Sequence, residues 1–354
     1  LEAQKKKIIL DVDTGTDDAI AIVLAALEER FDLLGICTVS GNIEVKLTTE
    51  NTLRVLTFCG KQEEIGVYKG SDLPLVSTLL PWTAQALGIR SEIDLRTGKR
   101  WPLPRREGTR LDKSEEHPEY LPLPPSKTRE REESAVYWLI KTLLAQEENS
   151  VTFIQVGPAT NLALALRADP RIKKAIKEIV IMGGGDRVTN TSPAAEFNTW
   201  ADPEAMEIVL QSGRDILMVP LDATHSAYVT LSDAEKIAAI GTAPALLVAG
   251  LIRSLASSYI NSHEEMRQYQ AAPIHDALAV CAALHPQVLS EVVHCNCHVD
   301  ISGGWAYGQT IVDKRKLLDS ETKNCRFARK ADRNFFLKWA MEVLSKDREK
   351  RPHN

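Results

Sequence analysis

Ile8-Ile9-Leu10 runs directly into Asp11-Val12-Asp13-Thr14-Gly15-Thr16-Asp17-Asp18, which places four carboxylates within eight residues straight after an apolar run. An Ile-rich run of this kind reads as a buried strand, and Gly15 supplies a turn. Residues 19–27 are almost continuously apolar with good helix propensity, so a buried helix is predicted to start near Asp17. Asp11 and Asp13 then project from one face of the strand end, while Asp17 and Asp18 return on the first helical turn. Four like charges converging there repel, and some must take up protons unless a cation sits among them. An all-oxygen site suits Ca²⁺ or Mg²⁺ rather than zinc. The preference of acids for helix N-termini accounts for Asp17 and Asp18, but leaves two aspartates at the strand end unexplained. The expectation is a metal site.

Further strand-like runs at 33–42, 151–157, 178–183 and 215–222 follow the first one at 7–13, each ending at a polar or glycine-rich turn. Helical stretches separate them at 17–29, 44–58, 134–146, 160–168, 202–211 and 232–256. This alternation predicts an α/β fold: a single domain over 5–346 with a mainly parallel, Rossmann-like central sheet flanked by helices. Ligands of such sheets bind outside the carboxyl ends of the strands. The polar clusters at 11–18, 40–42, 157–158, 183–185 and 222–225 all fall at such ends, which points to one site. Two regions break the alternation. Residues 80–133 are proline-rich with little periodicity, as expected of an irregular insertion or lid. Residues 292–302 and 307–313 read as a late hairpin turning at Gly303-Gly304, with a closing helix at 334–345.

Composition narrows the class. The net charge of −5 offers no footprint for nucleic acid or an anionic membrane. No apolar stretch is expected to reach bilayer-spanning length, and no signal-peptide region precedes the first strand. A cytoplasmic enzyme is the expectation. Cys295 and Cys297 alternate with Asn296 on a strand-like segment, where same-face cysteines are packing residues.

The pattern DxDxxxDD is where the chain begins to resemble the nucleoside hydrolases, the inosine–uridine-preferring and related nucleoside N-ribohydrolases. The resemblance continues, in order, through Val39-Ser40-Gly41-Asn42, Val156-Gly157-Pro158-Ala159-Thr160-Asn161 and Ile181-Met182-Gly183-Gly184-Gly185. It then takes in Asn190, Ala195-Glu196-Phe197-Asn198, Ala201-Asp202-Pro203-Glu204-Ala205, Leu221-Asp222-Ala223-Thr224-His225 and Ile274-His275-Asp276-Ala277. Each motif alone is weak; their joint order is specific. The resemblance implies a Ca²⁺ held by Asp13, Asp18, Asp276 and the Val156 carbonyl. It places Asp17 at the metal centre, through a ribose hydroxyl, a bound water or direct ligation. Asn42, Asn190, Glu196 and Asn198 would grip the ribose hydroxyls, with Phe197 beside them, while Tyr259 and His263 would stand on the nucleobase side. The substrate would be a ribonucleoside, and the assembly a homodimer or homotetramer.

The chemistry asks for the same residue types. Hydrolysis of an N-glycosidic bond passes through a ribosyl cation and needs negative charge around the ring. It also needs water activated by a metal and a carboxylate base, and Asp13 is the candidate base. His275 is the candidate acid for the departing base. Glu196 and Asn198, two apart, would share a face on an extended segment. Tyr259, His263 and Arg267 would share a face of one helix. Many family members carry a His-Gly pair near the nucleobase; residues 80–133 contain none, leaving Trp82 or Trp101 to stack on the base. Two other readings compete. Asp11-Val12-Asp13-Thr14 also fits the DxDxT motif of haloacid-dehalogenase-like phosphatases, with Asp11 as nucleophile. A non-catalytic nucleoside- or ribose-binding protein is the third.

Overall fold

The computed structural model describes residues 4–77, 117–315 and 323–346. Residues 80–116 of the expected insertion, Trp82 and Trp101 among them, lie outside the described residues. The strands of the main sheet are β1 (Lys6–Val12), β2 (Phe31–Thr38), β3 (Val67–Lys69), β4 (Val151–Gln155), β5 (Ile176–Met182), β6 (Asp215–Val219), β7 (Val293–Val299), β8 (Thr310–Asp313) and β9 (Cys325–Phe327). They lie in the order β8-β7-β9-β6-β5-β4-β1-β2-β3. From β9 across to β3 every pairing is parallel, and β7 and β8 add an antiparallel edge. The α/β architecture and its parallel core are as the alternation predicts. The late hairpin also forms, with Gly303 and Gly304 at φ of 102° and 80°, values that favour glycine. Its relation to the sheet was not legible, because three-residue β9 inserts between β7 and β6.

Side chains of β1 are buried on both faces, as a central parallel strand requires. Ile8, Leu10 and Val12 pack into one apolar layer with helices α1 (Thr16–Leu27) and α2 (Val45–Phe58). Ile9 packs into the opposite layer with α3 (Ala135–Leu144) and α4 (Thr160–Ala168). The remaining helices that matter for the site are α5 (Phe197–Ala201), α6 (Pro203–Leu210), α7 (Leu231–Ala238), α8 (Ala243–Ser262), α9 (Glu264–Tyr269) and α10 (His275–Leu284).

Three expectations are corrected. The single helix expected over 232–256 is two, α7 and α8, because Gly241 at φ 80° ends the first and Thr242 caps the second, with Pro244 in its opening turn. Tyr259, His263 and Arg267 do not share one helix. The helix stops at Ser262, where His263 turns extended (φ −126°, ψ 119°), and Arg267 belongs to α9. Finally, α8 is long and apolar enough to cross a bilayer, with mean hydropathy 1.4. Half of that apolar window is buried among other helices, so its apolarity serves the core.

Candidate active site

Helix α1 begins directly off the β1 turn, which folds the acidic octet back on itself. Asp18 accepts hydrogen bonds from the amides of Asp13 (3.0 Å) and Gly15 (2.9 Å). The helix-capping explanation is thus realised by Asp18, and the carboxylates still converge. Oxygen atoms of Asp17, Asp18 and Asp276 all lie within 4.8 Å of one another, and all three residues are buried. Asp276 arrives from the first turn of α10. Asp13 adjoins the trio: its Oδ2 accepts from the Asn42 amide at 2.6 Å, while Asn42 Nδ2 donates to Asp18 Oδ2 at 3.2 Å. Asp17 therefore stands among the closest carboxylates, and Asp13 stands beside them. Burial first, and then the neighbouring carboxylates, raise the pKa of Asp13 and Asp276 well above the ordinary range; burial also raises Asp18. His117 Nδ1 lies 3.9 Å from Asp17 Oδ1. Converging buried oxygen donors of this kind fit a hard divalent cation.

The residues expected on the sugar side converge on the same cleft, which is lined by Asp13, Asp17, Asn42, Asn190, Glu196, Phe197, Asn198 and Asp276. Glu196 and Asn198 meet there for a reason other than an extended segment. Glu196 caps α5, its carboxylate accepting from the amides of Asn198 (2.8 Å), Thr199 (3.1 Å) and Gly184 (2.8 Å). The glycine-rich end of β5 supplies the last of these. Asn198 Nδ2 donates to the Val156 carbonyl at 2.6 Å, joining the residues expected on the sugar side to the expected metal ligand. Asn190, exposed at the rim, holds the Phe197 amide at 2.9 Å.

On the other side, His275 is held at both nitrogens. Nδ1 is 2.7 Å from Thr224 Oγ1, and Nε2 is 2.7 Å from Tyr259 Oη. Tyr259 stacks on His263 with centroids 4.7 Å apart. His263 thus backs Tyr259 and does not line the cleft. His225 lies 5.7 Å from His275, centroid to centroid, its pKa lowered to about 4 by burial and by His263.

Sequence reasoning missed His117. It lines the cleft, and its Nδ1 accepts from the Thr16 amide at 3.2 Å, which leaves the ring proton of the neutral imidazole on Nε2. A Cβ at Gly15 would overlap its ring. The irregular segment after it is pinned to α2, where Asn51 Oδ1 accepts from the Leu121 amide (3.0 Å) and Arg54 donates to the Leu123 carbonyl (3.2 Å). His117 is the only histidine in residues 80–133, the one signal that could have found it. Asp11, by contrast, is sealed under the cleft with no exposure and does not line it. A nucleophilic role there, as the phosphatase reading needs, has no access to substrate.

Buried carboxylates, side-chain amides and a histidine–tyrosine pair thus gather at the strand ends of a parallel sheet, as a hydrolase site of this fold would need. The model of the inosine-uridine preferring nucleoside hydrolase family matches residues 8–338, and the chain belongs to that family. It is 33% identical over 345 residues to an uncharacterised protein of Schizosaccharomyces pombe, covering 96% of this chain and 99% of the relative. It is 34% identical over 307 residues to the pyrimidine-specific ribonucleoside hydrolase RihA of Escherichia coli, covering 86% and 88%. Among solved structures, a plant nucleoside hydrolase, the PpNRh1 enzyme, aligns with TM-score 0.79 at 25% identity over 96% of this chain and 99% of that one. The purine-preferring ribonucleoside hydrolase of Gardnerella vaginalis aligns with TM-score 0.77 at 27% identity over 96% and 98%.

Proposed function

We propose that this enzyme carries out Ca²⁺-dependent hydrolysis of the N-glycosidic bond of ribonucleosides, releasing free nucleobase and ribose. The observation that carries the reading is the shared cleft: the carboxylate floor, Asn42, Glu196 and Asn198, and the His275–Tyr259 pair all face one space. Asp18, Asp276, Asp13 and the Val156 carbonyl would hold the cation, with Asp17 as a further ligand. When bound, the cation lowers the pKa of water and offsets the carboxylate charge.

The residues of the chain then divide the work. Asp13 is the base: it sits at the edge of the carboxylate trio, where it takes the proton of the attacking water. The water oxygen bonds to the anomeric carbon as the C–N bond breaks, and the electron pair leaves on the base nitrogen. Glu196 keeps negative charge near the sugar as cationic character develops. Asn42, Asn190 and Asn198 orient the hydroxyls. His275 protonates the departing base through Tyr259: with Nε2–H donating to Tyr259 Oη, the phenol proton is free to go to the nucleobase. His117 Nε2–H supplies a further donor at the cleft.

Replacing Asp13 tests the scheme. Asp13→Asn keeps the Asn42 hydrogen bond and leaves Asp17, Asp18 and Asp276 for the cation, yet removes the base. A fall in kcat of about 10²–10⁴-fold is expected with metal binding retained. Near-normal turnover in that variant would move the base elsewhere.

A further inference from the structure

Asn161, the second residue of α4, is fully buried beneath the cleft and lines none of it. Its Nδ2 donates to Asp11 Oδ1 (2.9 Å) and to the Thr38 carbonyl (3.0 Å), and its Oδ1 accepts from the Ser71 amide (2.9 Å). One side-chain amide therefore ties together the end of β1, the end of β2 and the chain leaving β3. Each tie leads one step on to the site. The Asp11 carbonyl accepts from the Val156 amide at 2.9 Å, and the Ser71 carbonyl accepts from the Ser40 amide at 3.0 Å. Ser40 opens the turn whose Asn42 amide grips Asp13 Oδ2. That turn has no slack, because a Cβ at Gly41 would overlap Asp13 Oδ2. Neither has Asn161, because a Cβ at Gly70 would overlap both Asn161 Oδ1 and the Thr38 carbonyl.

We propose that Asn161 is a positioning residue for the metal-and-base cluster: it sets where Asp13 and the Val156 carbonyl stand, without touching substrate. The inference rests on the hydrolase reading above. Partners of this kind, one shell behind the ligands, hold ligand geometry in metal sites. Glu196 and Asn190 take no part in the network, being held by Gly184 and Phe197, whereas Asn42 and Asn198 adjoin it, so substrate affinity should change less than the metal site does.

The test uses the full chain with Asn161→Leu, which keeps volume and deletes the three hydrogen bonds, and Gly70→Ala, which displaces Asn161 and deletes none. Leu143→Ala, a core truncation in α3, serves as a control for lost stability alone. Calcium is titrated while the melting temperature is followed, and kcat and KM are measured on uridine and inosine. In both test variants the half-saturating calcium concentration should rise about 10–100-fold, with kcat falling in the same range and KM rising less than kcat falls. The control should only melt earlier. Wild-type calcium midpoints and kcat in folded test variants would overturn the assignment. Should Asn161→Leu not fold, Gly70→Ala decides. A wild-type protein that hydrolyses no ribonucleoside would sink the hydrolase reading instead, while the calcium midpoints would still judge Asn161.

Discussion

On the floor of the cleft, Asp13, Asp17 and Asp18 come from a single strand–turn–helix unit, and only Asp276 joins from afar. The side proposed to face the base assembles His275, Tyr259, Thr224 and His117 from four separate segments. The floor is fixed by local geometry, since the turn at Gly15 and the first turn of α1 dictate where its carboxylates go. The other side is fixed only by tertiary packing of α8, α10 and the segment pinned to α2. Under the proposed reading, the first kind of construction would keep sugar and metal chemistry constant while the second would leave the base-facing surface free to vary. Among the relatives, one is named for pyrimidine ribonucleosides and another for purine ones.

The sharpest way to break the comparison is to remove the acid while leaving the floor intact. His275→Ala should slow inosine or uridine hydrolysis by about 10²–10⁴-fold. Nitrophenyl riboside should be nearly unaffected, since its leaving group needs no proton. Tyr259→Phe should act in the same selective sense, with a smaller loss, if the phenol carries the proton. Equal losses on both substrate types would mean that His275 serves Asp276 or the sugar, which would merge the two regions into one.

A smaller effect is expected at Glu196, which holds the amides of Gly184, Asn198 and Thr199 and is proposed to serve the sugar side. Glu196→Gln replaces a charged acceptor by a neutral one, a loss on the order of 1–2 kcal/mol per hydrogen bond concerned. Both activated and natural substrates should lose about tenfold in kcat/KM. A 2′-deoxyribonucleoside should be poor with wild-type enzyme for a related reason. A loss confined to natural substrates would place Glu196 in leaving-group chemistry.

The smallest effect is on stability. Burial raises Asp11 to about 7 and Asp202 to about 6, and it raises Asp13, Asp18 and Asp276 as well. A carboxyl whose pKa is higher in the folded protein stabilises it fully below the unfolded pKa and loses that contribution as pH rises through the folded value. The chelated protein should therefore melt progressively earlier as pH climbs from about 4 to about 7. Calcium should reverse the trend, because it favours the ionised carboxylates. A metal-free melting temperature that rises over this range would contradict the burial assigned to the floor.

The same contrast explains what the sequence disclosed. The acidic octet, the strand–helix alternation and the strand-end motifs are local patterns, and local geometry converts them directly into structure. Helix α4 at Thr160–Ala168 and the return of Asp17 and Asp18 on the first turn of α1 were legible for that reason, whereas Asp276 entered the expected set only through the family resemblance. The capping of α5 by Glu196 was not, because spacing alone does not distinguish an extended segment from a helix start. His117 lay hidden because its place depends on Asn51 and Arg54, far along the chain and without periodic signature. The role of Asn161 is visible only once three strand ends are seen to share one amide.

The most direct measurement of the central claim is product analysis on a panel of purine and pyrimidine ribonucleosides, with protein stripped by chelator and then reloaded. The account predicts equimolar ribose and free base from at least one ribonucleoside, loss of that activity on chelation, and its return with Ca²⁺. Hydrolysis that persists in the fully stripped protein, or phosphate release from a phosphomonoester with no ribose from any nucleoside, would contradict it.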